Sequence, residues 1–173
     1  MKRIFLIGYM GAGKTTVGKV LSRQLELSFI DLDHYIEGRY HKTVGQLFAE
    51  KGEDAFRDIE RRMLREVAAF EDVLVSTGGG APCFFDNMEF MNGAGQTVYL
   101  KVSVEELAKR LELCKSTRPI LEGRSGDELR AFIAESLKKR EPFYSKASIV
   151  FDAEEMMTDQ DVYKISQDYR VES

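Results

Sequence analysis

The stretch that most restricts this chain is Gly8–Thr15, GYMGAGKT, set directly behind the apolar run Ile4-Phe5-Leu6-Ile7. Glycine gives up more backbone freedom on folding than any other residue, so three of them between positions 8 and 13 need a reason. The spacing fits G-x-x-x-x-G-K-[ST] between a strand and an amphipathic helix, where main-chain amides can turn inward around phosphate oxygens. In that setting Lys14 is expected to reach the outer phosphates and the Thr15 hydroxyl to ligate Mg²⁺. Gly11, Ala12, Gly13, Lys14, Thr15 and Thr16 are therefore the expected contacts to a nucleoside triphosphate.

The remainder of the chain alternates in a way that suits such a loop. Short runs with strand length and β-branched or aromatic content occur at 2–8, 27–33, 71–78, 96–102 and 147–152. Helical periodicity separates them at 14–26, 55–70, 104–113 and 127–140, with a last helix expected at 158–169. Strand and helix in alternation indicate an α/β fold, three layers deep, with a five-stranded parallel sheet covered on both faces. Ligands of such sheets sit beyond the carboxyl ends of the strands, which directs attention to 8–16, 31–34 and 76–82.

With 173 residues and no linker or repeat, the chain reads as a single domain, 1–173. Two segments exceed what the sheet needs. Residues 32–60 suggest a substrate-binding flap and 113–124 a lid, leaving a core of 1–31, 61–112 and 125–173. A net charge of −4 without a basic run argues against nucleic acid as partner. No apolar stretch has the length of a membrane span or of a secretion signal. Cys83 and Cys114 have no metal-ligand spacing and read as packing residues, so a cytoplasmic location is expected.

Residues in the strand-end loops add chemistry. Asp31 and Asp33 are two apart in a segment that reads as extended, so both should face the phosphate loop, one assisting Mg²⁺ and the other meeting a substrate hydroxyl. The competing reading makes them turn and N-cap residues of a following helix. His34 and His41 read as solvent-facing or structural. Arg57 and Glu60 share a helix face at i,i+3, which taken alone is a surface ion pair worth under about 1 kcal/mol. Thr77-Gly78-Gly79-Gly80 at a strand end allows backbone to approach a ligand. Ser76 or Thr77 stands where many phosphate-loop enzymes carry a second acid. Arg118-Pro119 and Arg140-Glu141-Pro142-Phe143-Tyr144 complete the set. D-x-x-G and N-K-x-D are absent, which argues against a GTPase switch.

In their order and spacing these motifs (GYMGAGKT, D-L-D at 31–33, F-R-x-x-E at 56–60, T-G-G-G at 77–80, R-P at 118–119, R-x-P-x-Y at 140–144) resemble the shikimate kinase family over about residues 3–152. The resemblance implies a nucleoside-monophosphate-kinase-like fold and transfer of the γ-phosphoryl of ATP to the 3-hydroxyl of shikimate, toward chorismate and aromatic amino acids. It assigns Asp33 to the substrate hydroxyls, where it could take the proton, and Arg57 and Arg140 to the substrate carboxylate. Gly78, Gly79 and Gly80 would line the same pocket, Lys14 and Arg118 would serve the transferring phosphates, and Thr15 and Asp31 the magnesium. ATP and shikimate are then the only partners, and the chain a monomer. The lid reads R-P-I-L where R-P-L-L is common, a conservative departure, and no adenine contact is assigned past Phe151.

Two other readings stay open at this point. One is a kinase of the same fold acting on gluconate or a nucleoside monophosphate; a base-binding flap would favour aromatic stacking and amides, where this one offers carboxylate and arginine. The other is a nucleotide-binding regulatory module, whose mark would be a missing catalytic position.

Overall fold

Strand β1 (Arg3–Ile7) is buried from Ile4 to Ile7, as expected of a strand at the centre of a sheet covered on both sides. The computed structural model describes residues 2–113, 126–155 and 163. Beside β1 lie β2 (Ser28–Asp31), β3 (Val73–Ser76), β4 (Gln96–Lys101) and β5 (Ile149–Asp152), all parallel in the order β2-β3-β1-β4-β5. The helices are α1 (Lys14–Leu25), α2 (Leu32–Tyr40), α3 (Val44–Lys51), α4 (Glu53–Ala68), α5 (Asn87–Ala94), α6 (Val104–Leu113) and α7 (Gly126–Tyr144), with a 3₁₀ turn at Ala81–Cys83.

Alternation along β1 divides the core in two. Ile4 and Leu6 point to one face and pack with Val17 and Leu21 of α1, Leu107 of α6 and Ile133 of α7. Phe5 and Ile7 point to the other and pack with Ile36 of α2 and Phe56, Ile59 and Leu64 of α4. This is the expected three-layer arrangement. Register then sets the site: Leu6 of β1 and Asp31 of β2 both pair with Ser76 of β3. The three strands end level, so the loops following them meet at one edge.

Several boundaries differ from expectation for identifiable reasons. β2 stops at Asp31, not 33, because the Asp31 carboxylate accepts the His34 amide at 3.1 Å and caps α2. α3 opens with a capping box, the Thr43 hydroxyl taking the Gln46 amide and the Gln46 side chain taking the Thr43 amide. α5 is an additional short helix of weak amphipathicity. α7 continues past Arg140 through Pro142, and its last residue, Tyr144, is buried and donates its hydroxyl to the Gly79 carbonyl. The helix expected at 158–169 apart from Tyr163, most of the lid at 113–124, and Cys114 lie outside the described residues. Among the described residues no helix is long and apolar enough to cross a membrane.

Candidate active site

The phosphate loop leaves β1 with Gly11 at φ 86° and Gly13 at φ 97°, a left-handed conformation that side chains resist. Gly13 is the N-cap of α1 and has no side chain to satisfy the first amides, and no acid stands in the first turn of the helix. Those amides and the positive end of α1 thus face outward together, which is an anion site. Ala12 is buried, tying the loop inward through its amide to the Tyr9 carbonyl at 3.1 Å. The Lys14 ammonium donates to the Gly8 carbonyl at 2.6 Å.

A cavity of about 330 Å³ opens at this point, and Gly11, Gly13, Lys14, Thr15, Thr16, Asp31, Asp33, Gly78 and Gly79 all line it. Asp31 and Asp33 do share it, though by a different route from the expected one. Asp31 is the helix cap and Asp33 lies in the first turn of α2, so the helix, not strand alternation, turns Asp33 inward. The N-cap reading and the site reading are therefore compatible. Burial, reinforced by the Asp31 carboxylate, holds the Asp33 pKa above its ordinary value, against the pull of Lys14. The neighbouring hydroxyl, Thr77, donates to the Leu6 carbonyl at 3.0 Å and fastens β3 to β1. A larger groove of about 760 Å³ beside β4, β5 and α7 contains none of these residues.

At the side of the cavity two arginines from distant elements meet the glycine run. A β-carbon on Gly79 would stand 3.0 Å from Arg140 Nη1, and one on Gly80 would stand 2.6 Å from Arg57 Nη2. This is why three small residues follow each other there. Arg140 Nη1 is buried and has no hydrogen-bond partner among the described residues; its guanidinium carbon lies 5.2 Å from the centre of the Tyr9 ring.

Arg57 donates to Glu60 at 3.0 Å, but this is no surface pair: Glu60 is 1% exposed and the Arg57 side chain 11%. Phe56 and Ile59, buried in the core, turn the Arg57–Glu60 face of α4 inward toward the site. Burial pushes the Glu60 carboxyl up to about 7, against the pull of Arg57. Burial likewise carries the free Cys83 thiol to about 11, so it stays protonated and unreactive. His34 and His41 are exposed. Arg118 falls outside the described residues.

Two contributors went unread in the sequence. Arg110 of α6 reaches the carbonyls of Gly11 and Ala12 at 3.2 and 3.4 Å and those of Ala153 and Glu154 at 3.0 Å each, bracing the phosphate loop against the chain beyond β5. No local motif marks it, because its partners are main-chain oxygens far away in sequence. Phe84 covers the guanidinium of Arg57, its ring centre 4.2 Å from Cζ.

For Mg²⁺ the donors present are oxygens, from Thr15, Asp31 and Asp33, all of which line the cavity. Among the described residues no cluster of three or more His, Cys, Asp or Glu side chains could hold a metal alone. A site with few protein ligands suits Mg²⁺, which keeps waters and binds through one or two carboxylates plus phosphates. The residues fit the ion.

A parallel α/β sheet with G-x-x-x-x-G-K-[ST] at the end of its central strand, and two arginines gathered at a glycine run beside it, defines a phosphate-loop kinase. Residues 10–170 match the family model described as Shikimate kinase. A shikimate kinase of Parabacteroides distasonis is 78% identical over 166 residues, covering 96% of each chain. The 1.7 Å crystal structure of shikimate kinase from Bacteroides thetaiotaomicron superposes with a TM-score of 0.94 at 54% identity, covering 98% of each chain. That of the Acinetobacter baumannii enzyme in complex with shikimate gives 0.90 at 33% identity over all of this chain and 95% of the other. The chain belongs to the shikimate kinase family, a family of ATP-dependent phosphotransferases.

Proposed function

We propose that this chain transfers the γ-phosphoryl of ATP to the 3-hydroxyl of shikimate, giving shikimate 3-phosphate and ADP, through the cavity between the phosphate loop and the glycine run. The observation that carries the reading is the approach of Arg57 and Arg140, from separate helices, to Gly79 and Gly80 beside Asp33. Arg140 Nη1, buried without a hydrogen-bond partner among the described residues, calls for an anion, and two forks together suit a carboxylate held bidentately. A ring bearing one carboxylate and several hydroxyls satisfies both the arginines and Asp33.

In this scheme the loop amides and Lys14 align the triphosphate, which is most of what phosphoryl transfer asks of a protein. Arg57 and Arg140 fix the acceptor acid, and Gly78, Gly79 and Gly80 let the ring lie close to backbone. Asp33 accepts the hydroxyl proton, and its raised pKa makes it a stronger base than an exposed aspartate. Thr15 and Asp31 would hold Mg²⁺, which when bound neutralises charge on the phosphates. Arg118 is assigned to those phosphates by its motif alone. Residues 32–60 act as acceptor flap and 113–124 as lid on the remaining core, and closure keeps water from the ATP. Cytoplasm is the setting that suits a free, unreactive Cys83.

The test is ADP release with Mg·ATP over shikimate, quinate, gluconate and the nucleoside monophosphates. Shikimate alone should give rapid turnover; a nucleoside monophosphate or gluconate turned over faster would overturn the assignment. Asp33→Asn should lower kcat by about 10²–10⁴ with shikimate still bound, and an unchanged rate would remove the base.

A further inference from the structure

Arg57 is held on several sides. Its Nη1 donates to Glu60 Oε1 at 3.0 Å, and its Nε lies 3.7 Å from Glu53 Oε1. Its Cζ is 4.2 Å from the centre of the Phe84 ring, against 5.5 Å from each of Phe48 and Phe56. Phe84 belongs to a different segment from α4 and directly follows the turn Ala81–Cys83.

That turn is fastened at both ends. The amides of Ala81 and Cys83 donate to the carbonyls of Gly78 and Gly80 at 3.1 and 3.0 Å. Asn87, fully buried, gives its side-chain amide to the Ala81 carbonyl at 2.8 Å and its backbone N–H to the Phe84 carbonyl at 3.2 Å. One rigid loop therefore makes room at the guanidinium edge, through Gly80, and lays a ring near its centre, through Phe84.

We propose that Phe84 is a positioning residue for acceptor recognition: its ring fixes the Arg57 guanidinium so that the remaining N–H groups meet the substrate carboxylate. This rests on the role of Arg57 proposed above. A ring quadrupole attracts the cation without occupying any N–H donor and without cancelling its charge. A further carboxylate at that place would do both and would compete with the substrate's acid. Glu60 already takes one donor, so a neutral support is what leaves the fork able to bind.

The experiment compares initial rates for the wild type, Phe84→Leu, Phe84→Trp, Arg57→Ala and the Arg57→Ala/Phe84→Leu double variant. Phe84→Leu should raise KM for shikimate roughly 3- to 30-fold, the span of a half-buried cation–π contact, with KM for ATP unchanged. Phe84→Trp should restore the wild-type value. In the Arg57→Ala background the Phe84 substitution should add little, since it acts through the arginine. An unchanged KM for shikimate, an equal rise in KM for ATP, or a full additive loss on top of Arg57→Ala overturns the proposal. Should Phe84→Leu not fold, Phe84→Met is held to the same criteria. If Arg57→Ala leaves KM for shikimate unaltered, the role of Arg57 itself is wrong; if only the Phe84 variants are silent, Arg57 stands and Phe84 does not.

Discussion

Glu60 shows how little a residue's neighbours in sequence say about its energetics. F-R-x-x-E is legible as a helical pair, yet the usual value of such a pair assumes water around it. Here the acid is 1% exposed, and its pKa rises from 4.5 to about 7 because desolvation outweighs the attraction of Arg57. Below the unfolded value Glu60 carries a proton folded or unfolded; above the folded value it is ionised in both states. Between them only the fold retains the proton, so this contribution to stability is present at low pH and lost as pH rises through the window. Relative to Glu60→Gln, the wild type should therefore lose up to about 3 kcal/mol between about pH 4.5 and 7 and change little above. Urea unfolding of both proteins over that range checks it, and parallel stability curves would refute it.

At the scale of elements, the strands and long helices follow from periodicity, whereas the flap helices and α5 do not. The capping box Thr43-Val44-Gly45-Gln46 was a readable signal for α3. The alternating run Leu27–Asp33 concealed the start of α2, because a strand continuing and a helix capped by Asp31 present the same residues. α5 left no comparable trace, yet its end is tightly constrained. A β-carbon on Gly95, just before β4, would stand 2.2 Å from the Arg3 carbonyl oxygen, a backbone atom of β1. Unlike the tip of a side chain, that oxygen cannot swing aside. Gly95→Ala is expected to cost about 2 kcal/mol or more, on the scale of overpacked cores, and a melting temperature equal to the wild type would show that the strands yield.

For the whole molecule, the proposed donor and acceptor groups stand on different elements, α1 for the phosphates and α4 with α7 for the acid, with the glycine run between them. Ligand stabilisation should then be separable. Mg·ADP at a hundredfold excess over its Kd stabilises by about 2.7 kcal/mol, raising Tm by roughly 5–10 °C for a chain of this size. Arg57→Ala should keep that shift in thermal denaturation while losing the shift produced by shikimate. Loss of both together would mean that Arg57 supports the fold and not the acceptor.

The amino-acid sequence determined the layered α/β class, the phosphate loop and the identity of the charged residues, because periodicity and glycine spacing are local properties that chain neighbours express. It could not determine that Glu60 is desolvated, that Phe84 covers Arg57, or that Arg110 braces residues some hundred positions earlier and forty later. Those depend on β1, β2 and β3 ending level and on which helix faces the cavity. Burial and distance between remote segments are products of packing, and no window along the chain contains both partners.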